Sequence, residues 1–574
     1  MVTVGLAIAF AFLTAPRFLF EGDSARYLAV AQSLVRGEGY TLFGRPERIY
    51  PPGFALVLAP ATALSESFAV VARWAAIVGA LVVPATYALA RPGPAALPVA
   101  LLTVFSAGFL TLIIGNPRSE PLYMVFSLGL IAWVHHLASR PERSRRWAAS
   151  VAAGTVLLVM SVATRSIGLA AVGAAGLVVM EWLVRPASRV RRFPSELLLP
   201  LAAATAFTLA WFAWAGKGTS LASDPNGAVP YLRQLVMADP HQPDLGFVSP
   251  FTFAARILGN LTIQASHAAE LLTQIPWLKA RWFSPFAVTV VAITVTGWWA
   301  AMSRPSRFGA WYFLGYAAIL SLWPYDEGAR FLVPVLPLLW LYSIDGVRQA
   351  IAAASAGSRR LRRAVLAVGS VCLLGAAISF LARPAAFSRQ DQAFTLGWLV
   401  ILGIATFGWD RAAATVAALS RRAGKKLMMI AVAGYAVVGL IRIVPERLAQ
   451  FRGGALADPV AESLDEASRW IIDSTPPGAT IQATFPTQIQ FATGRSTVRF
   501  PITGSAELLR SYAEAYRPNF LVVLRSDTSG YYRPVDSVKF VVIQGLFPET
   551  WVPAGRLSGS TIYASRTNPA VTRP

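Results

Sequence analysis

The chain has very few of the residues that usually build disulfide frameworks and metal centres. Cys372 is the single cysteine among 574 residues, so an intrachain disulfide and a thiolate metal site are both excluded. The four histidines, His135, His136, His241 and His267, are scattered and form no zinc-binding motif. Acidic residues are also scarce, with 29 aspartates and glutamates against 51 lysines and arginines.

Charged residues of either sign make up only 14% of the chain, whereas 55% of its residues are hydrophobic and its mean hydropathy is +0.52. This composition excludes an ordinary soluble protein. A net charge of +22 is also typical of nucleic-acid binding, but the arginines stand in short clusters between apolar runs of roughly 20 residues. We therefore expect a polytopic α-helical membrane protein and no nucleic-acid partner.

Thirteen apolar runs have the length and composition of transmembrane helices. They fall at about 1–19, 67–90, 95–114, 119–138, 147–163, 166–184, 196–215, 284–302, 308–323, 331–349, 364–382, 393–409 and 427–444. The first run lacks a basic start and a clean cleavage site, so we expect an uncleaved anchor and a cytoplasmic N-terminus.

The basic clusters predict the orientation of these spans. They occupy four loops, at 140–146, 185–192, 359–363 and 421–426. If thirteen spans alternate, all four loops lie on one side, which the positive-inside rule makes the cytoplasm. The first large loop (20–66), the second (216–283) and the tail after 455 then lie on the periplasmic or extracellular side of a bacterial inner membrane.

The tail differs in character from the rest of the chain. After the glycine pair at 453–454, an acidic helical stretch precedes short alternating apolar runs at 480–485, 520–524 and 538–543. The sequence therefore predicts a membrane domain over 1–450 and a small soluble α/β domain over 455–574.

The first outer loop opens with Asp23 at the head of an amphipathic segment. Tyr27, Ala31 and Leu34 share one helical face, and Gly37 ends the pattern. These residues support two interpretations of Asp23, a helix N-cap or a functional carboxylate.

Other predicted outer loops carry further ionisable residues close to the membrane. These segments are Arg48–Gly53 with its Pro-Pro pair, Arg118–Pro121 with Glu120, Thr164–Gly168 with Arg165, and Asp326–Pro337 with Arg330. Each segment alone fits an interfacial residue or a helix start, where an acidic side chain complements the dipole. Collected on one side of the membrane, they mark a functional site.

The order of these motifs resembles the GT-C glycosyltransferases, especially the protein O-mannosyltransferase, lipid A aminoarabinose transferase and rhizobial lipopolysaccharide transferase branches. The resemblance covers roughly residues 1–350. It implies a GT-C fold and an inverting hexosyl- or pentosyltransferase that uses a polyprenyl-phosphate-linked sugar on the outer face. The acceptor stays open among envelope lipid, glycan and protein.

The resemblance also implies roles for three residues. Asp23 matches the aspartate expected to take the proton of the acceptor hydroxyl. Glu120 is expected to assist or orient that reaction. Arg330 begins the late Arg-Phe-x-x-Pro span and is expected to stabilise the departing phosphate.

Two departures from the family pattern affect the remaining candidates. Tyr50 stands where the aminoarabinose branch has a lysine before Pro-Pro, so donor-phosphate contacts there are expected from Arg48 or Arg45. Arg165 and Tyr50 are further candidates.

Mannosyltransferases often have adjacent acids where this chain has Asp23-Ser24. Glu21 is therefore a possible second acid, as is Asp326, and the use of a divalent metal stays open.

A transporter or flippase for polyprenyl-linked glycans is one alternative function, because basic and aromatic groups below an outer vestibule would also hold a lipid phosphate. A non-catalytic scaffold whose tail binds envelope glycans is another. A transporter is expected to place ionisable residues near the midplane and on both faces. Here they gather on one face, which favours the transferase.

Overall fold

The computed structural model describes residues 2–90, 95–139, 147–184, 195–217, 231–240, 245–274, 285–304, 306–356, 409–451, 459–525, 535–548 and 550–566, with a few single residues between them. Up to residue 451 these residues are almost entirely helical. The helices are α1 Val2–Leu13, α2 Gly22–Val35, α3 Gly53–Leu64, α4 Phe68–Gly79, α5 Val82–Ala90, α6 Ala96–Val104, α7 Ala107–Ile114, α8 Ser119–Ser139, α9 Trp147–Thr164, α10 Leu169–Val184, α11 Leu198–Ala215, α12 Tyr231–Gln234, α13 Pro250–Thr273, α14 Pro285–Ala301, α15 Phe308–Leu322, α16 Leu336–Ser355 and α17 Trp409–Phe451. A 3-10 helix at Gly328–Val335 leads into α16.

Residues 459–566, called here the C-terminal unit, combine helices with a five-stranded mixed sheet. Its helices are α18 Pro459–Ser474, α19 Pro486–Thr493, α20 Ala506–Tyr516 and α21 Asp536–Leu546. A hairpin in the first loop supplies β1 Thr41–Leu42 and β2 Arg45–Pro46, and the sheet contains β3 Thr480–Ala483, β4 Ser496–Arg499, β5 Phe520–Leu524, β6 Trp551–Arg556 and β7 Ser560–Ser565. The strand order is β4-β3-β5-β7-β6, with β3 parallel to both its neighbours and β7 antiparallel to both of its own.

Seven helical segments of the described chain are long and apolar enough to cross a membrane, or eight if the bent pair α6 and α7 forms one span. The seven are Phe68–Ala90, Ser119–Ser139, Trp147–Thr164, Ser166–Val184, Leu198–Ala215, Gly328–Ala353 and Met428–Pro445. Each coincides closely with an expected span. The chain is therefore a multi-pass membrane protein.

The expected number of thirteen spans stays a prediction. Helices α1, α14 and α15 have 12, 17 and 15 residues, and are shorter than a typical span. The expected spans at 364–382 and 393–409 lie almost wholly outside the described residues, as do the basic loops at 140–146 and 185–192.

Two local predictions are wrong. The basic cluster at 421–426 lies inside the 43-residue helix α17 and not in a loop, because no proline interrupts the helix before Pro445. The run 538–543 was expected to alternate as a strand, but it lies in α21. Its buried residues Asp536, Lys539, Phe540 and Ile543 are three, one and three positions apart, which fits a helix.

A close helix contact explains the glycine after the Pro-Pro pair. A Cβ atom on Gly53 would lie 2.8 Å from the backbone carbonyl of Ala163, near the end of α9. Only glycine allows α3 to begin this close to α9. The contact brings the loop around Tyr50 next to Arg165, which follows α9 directly.

The C-terminal unit packs on the segment between α1 and α2. Phe20 is buried in the apolar core of that unit, and Phe18 stacks edge-on against Phe491 with ring centroids 5.0 Å apart. Arg17 pairs with Asp465 at 3.7 Å. The unit is thereby held over the first turn of α2, where Asp23 lies.

Candidate active site

A cavity of about 470 Å³ lies between the ends of the apolar helices and the C-terminal unit. Its ionisable lining comes from segments far apart in the sequence. The charged side chains are Glu21, Asp23, Arg26, Arg165, Glu327, Arg330 and Arg499. Aromatic residues supply much of the remaining wall, among them Tyr27, Tyr50, Tyr231, Trp323, Tyr325 and Phe331. Aromatic walls with a few charged groups that converge on one space are typical of a small-molecule site.

Arg330 is the centre of the charged cluster. Its Nε donates to Glu120 Oε1 at 2.5 Å, and its Nη2 donates to Asp23 Oδ2. Its Nη1 lies 3.6 Å from Glu21 Oε1 and 3.6 Å from Glu327 Oε2. One guanidinium therefore faces four carboxylates, and its planar fork fixes their relative positions.

Glu120 lies behind the cavity wall and does not line it. It is fully buried in the first turn of α8, where Arg165 Nη1 approaches its Oε1 at 2.9 Å. Arg165 also donates to Ser119 Oγ at 3.0 Å. A buried carboxylate requires such partners, and Glu120 in return orients both Arg165 and Arg330 toward the cavity.

Asp23 does not cap its helix. The N-cap position is Glu21, and the Asp23 side chain in the first turn accepts hydrogen bonds from Arg330 and, at 2.6 Å, from the Tyr50 hydroxyl. The capping interpretation is therefore wrong. Burial alone would raise the pKa of Asp23, but the Arg330 guanidinium and the Tyr50 hydroxyl hold it well below its usual range.

Tyr50 is held in place by residues that the sequence analysis did not single out. Its backbone N–H donates to Glu47 Oε1 at 3.2 Å, and its carbonyl accepts from the Tyr40 hydroxyl at 2.5 Å. Buried Glu47 also pairs with Arg26 at 2.8 Å. Burial, with the adjacent Asp23 charge, raises the pKa of Tyr50, so its hydroxyl remains a donor to Asp23.

Glu21 is fixed by its own arginine at the edge of the cavity. Arg118 Nε approaches Glu21 Oε1 at 2.8 Å, and Asn116 and Ser24 donate to Oε2 at 3.3 and 3.0 Å. This network joins the start of α2 to the loop before α8.

Two of the expected site residues lie elsewhere. Arg48 donates to the Lys217 carbonyl and stacks over Trp214 at 5.7 Å, and it does not line the cavity. Asp326 accepts from His267 at 2.8 Å and does not line the cavity either, although its neighbour Glu327 does.

The C-terminal unit supplies a wall of the cavity that the sequence analysis did not foresee. This wall consists of Thr484, Phe485, Pro486, Thr487, Gln488 and Arg499. Gln488 lies against Gly22, where a Cβ atom would meet its Nε2 at 3.1 Å. On the opposite side, Tyr231 stacks near Trp323 with ring centroids 5.4 Å apart. Residue spacing gave no signal for either wall, because both depend on tertiary packing.

Among the described residues, no group of three or more histidine, cysteine, aspartate or glutamate side chains is arranged to hold a metal ion. The carboxylates of the cluster are each engaged by arginine. The arrangement instead provides a carboxylate that can accept a proton beside two fixed guanidinium groups that can bind an anion.

Solved structures of similar architecture include ArnT from Cupriavidus metallidurans bound to undecaprenyl phosphate. It is 14% identical, with 100% of this chain and 98% of that chain covered at a TM-score of 0.53. Its apo form is 13% identical, with 98% and 97% covered at a TM-score of 0.52. The apo oligosaccharyltransferase of Archaeoglobus fulgidus is 12% identical, with 98% and 74% covered at a TM-score of 0.48.

No protein-family model and no curated protein matches the chain. At the identities above, the structural likeness concerns the fold. It extends over the whole chain, including the C-terminal unit, and agrees with the motif resemblance of residues 1–350. The chain therefore shares the fold of the two ArnT structures, which is the GT-C fold that the motif resemblance predicts.

Proposed function

We propose that the protein is an inverting glycosyltransferase that moves a sugar from a polyprenyl-phosphate donor to an envelope lipid, glycan or protein. The proposed site faces the periplasmic side of a bacterial inner membrane. The observation that carries the proposal is the direct pairing of Asp23 with Arg330 in the cavity wall, with Arg165 beside them. The cavity thereby holds the two kinds of group that this reaction requires, a proton acceptor for the acceptor hydroxyl and an anion-binding group for the leaving phosphate.

In the proposed mechanism the donor phosphate binds between Arg330 and Arg165. Glu120 is buried behind both guanidinium groups and holds Arg330 Nε and Arg165 Nη1, so only the parts of the two groups that face the cavity change partners when the phosphate enters. The apolar helices around the cavity leave the polyprenyl chain in lipid. ArnT was solved with undecaprenyl phosphate, which supports a ligand of this class.

The phosphate competes with Asp23 for Arg330. In the structure this arginine keeps the pKa of Asp23 low, which makes the carboxylate a weak base. When the guanidinium turns toward the phosphate, the pKa of Asp23 rises toward its ordinary value while Tyr50 still orients the carboxylate. Asp23 thus becomes a stronger base once the donor phosphate is bound.

Transfer is then a single displacement. The acceptor oxygen attacks the anomeric carbon and its proton passes to Asp23. The bond between that carbon and the phosphate oxygen breaks, and its electron pair leaves with the phosphate. Arg330 and Arg165 stabilise the charge that develops on the leaving group.

The test is sugar transfer by the purified protein in nanodiscs. Mass spectrometry of envelope glycolipids from a deletion strain first identifies the missing sugar. The matching radiolabelled polyprenyl-phosphate sugar should then lose its label to the acceptor, with free polyprenyl phosphate released. Movement of the intact labelled lipid across a liposome bilayer, with the sugar–phosphate bond unbroken, would instead identify a flippase.

A further inference from the structure

His267 lies outside the cavity, in a carboxylate cluster of its own. It is 3% exposed near the C-terminal end of α13, where residues 266–272 are buried. Its Nε2 lies 2.8 Å from Asp326 Oδ1, and its Nδ1 faces Glu270 Oε2 at 3.7 Å. A ring between two carboxylates is suited to carry a positive charge.

Asp326 connects this histidine to the segment that carries Arg330. Its Oδ1 also accepts from the Gly328 backbone N–H at 2.8 Å, at the first residue of the 3-10 helix. Gly328 has a φ of +67°, so the chain turns sharply there. Arg330 follows two residues later. At its other side, the Phe331 carbonyl accepts from the Tyr316 hydroxyl at 2.6 Å.

This anchoring has a use in the proposed reaction, on which the inference rests. Arg330 must exchange Asp23 for the donor phosphate by a movement of its side chain while its backbone stays in place. Four carboxylates attract its guanidinium, and in the proposed reaction the donor phosphate competes with them for it. A fixed backbone on both sides of Arg330 confines the response to the side chain.

We propose that His267 and Asp326 form an ion pair that positions Arg330 for the donor phosphate, with His267 as a positioning residue and not a catalytic one. His267 acts through Asp326 and the Gly328 N–H, since it does not line the cavity. Asp326 accordingly serves as an anchor and not as a second acid.

The pair predicts a pH dependence of donor binding. Burial lowers the pKa of His267, but the hydrogen bond with Asp326 and the nearby Glu270 carboxylate outweigh burial and raise the pKa above its ordinary value. The charged histidine is therefore present at low pH and is lost as the pH rises through this raised pKa. Positioning of Arg330 should weaken on the alkaline side.

The experiment measures the affinity of undecaprenyl phosphate for the purified full chain in nanodiscs between pH 5.5 and 9. His267→Gln keeps a side chain of similar reach without the charge. It should weaken binding about tenfold at low pH, as expected for one lost charge-assisted hydrogen bond. It should also abolish the decrease in affinity at high pH that is expected for the wild type. Ionisation of the phosphate is common to both proteins, so the difference between their profiles isolates His267.

Two further variants test the pathway. Asp326→Asn removes the charge and keeps an oxygen for the Gly328 N–H. If both residues act through the same ion pair, the double variant should lose no more affinity for undecaprenyl phosphate than His267→Gln alone. His136→Gln, at an exposed helix position, should behave as wild type.

A lowered Tm with unchanged affinity and an unchanged pH profile would refute the inference and leave only a structural role. A wild type that transfers sugar, together with a His267→Gln variant that keeps the decrease in affinity at high pH, would refute it and leave the proposed function standing. A wild type that neither binds the phosphate nor transfers sugar would overturn both.

Discussion

Replacing Asp23 by asparagine should remove the proposed base and leave the donor site in place. The carboxylate accepts from Tyr50 at 2.6 Å and from Arg330. An amide of the same shape keeps one acceptor oxygen for Arg330, and its NH2 can donate to the Tyr50 oxygen once that hydroxyl rotates. Because Asp23 is not the N-cap, no helix cap is lost. Folding and expression should therefore be preserved.

The expected loss in turnover is roughly two to four orders of magnitude, the usual effect of a positioned general base. This corresponds to about 3–5 kcal/mol in the activation free energy. Donor binding should move in the opposite direction. Arg330 retains Glu120 at 2.5 Å, with Glu21 and Glu327 at 3.6 Å, and loses one anionic competitor of the phosphate. The affinity for polyprenyl phosphate should therefore stay constant or rise.

The assay is transfer of a radiolabelled sugar from its polyprenyl phosphate by purified protein, with lipid-phosphate binding measured in parallel. Asp345→Asn is the matched control, because Asp345 also pairs with an arginine, at 2.5 Å, but does not line the cavity. Transfer near the wild-type rate by Asp23→Asn would refute the reasoning, and Glu21 would become the next candidate. Loss of both transfer and binding would show that Asp23 holds the site together and is not its base.

Three shorter predictions concern other parts of the molecule. Arg330→Lys keeps the charge but loses the planar fork, so turnover should fall at least tenfold, and unchanged turnover in Arg330→Ala would remove this residue from the site. Tyr50→Phe keeps the ring contacts and deletes the hydrogen bond to Asp23, so kcat should fall about tenfold and KM for the donor should change little; a normal kcat would show that Tyr50 does not orient the base. A reporter active only outside the cytoplasm should be active when fused after Pro574 and silent near Arg143, and the reverse pattern would place the site on the wrong side.

The fold class and the positions of seven apolar helices could be predicted from the sequence because the length of an apolar run is a local property. Seven long helices coincide with expected spans to within a few residues. The error at 538–543 arose because a short run of mixed apolar residues has no unambiguous period. The helix form is favoured there by tertiary contacts, in which the buried Lys539 Nζ donates to Thr484 Oγ1 at 2.6 Å and to the Phe500 carbonyl at 3.3 Å.

The sequence analysis predicted only those residues of the candidate site that lie before the C-terminal unit. Asp23, Glu120, Arg165 and Arg330 stand at span mouths on one side, and the structure brings them together. The placement of Arg48 could not be foreseen, because its contact with Trp214 depends on how two distant loops pack.

Because the C-terminal unit forms one wall of the cavity, the cavity is complete only after the last part of the chain has been synthesised. Residues 484–488 and 499 come late in the chain, whereas Asp23 and Arg165 emerge early. Domains generally fold in the order in which they are made. The charged groups of the cavity therefore lack this wall until the last part of the polypeptide has emerged and docked on Phe18 and Phe20. A nascent or prematurely terminated chain thus carries the same charged groups in a cavity that is missing one wall.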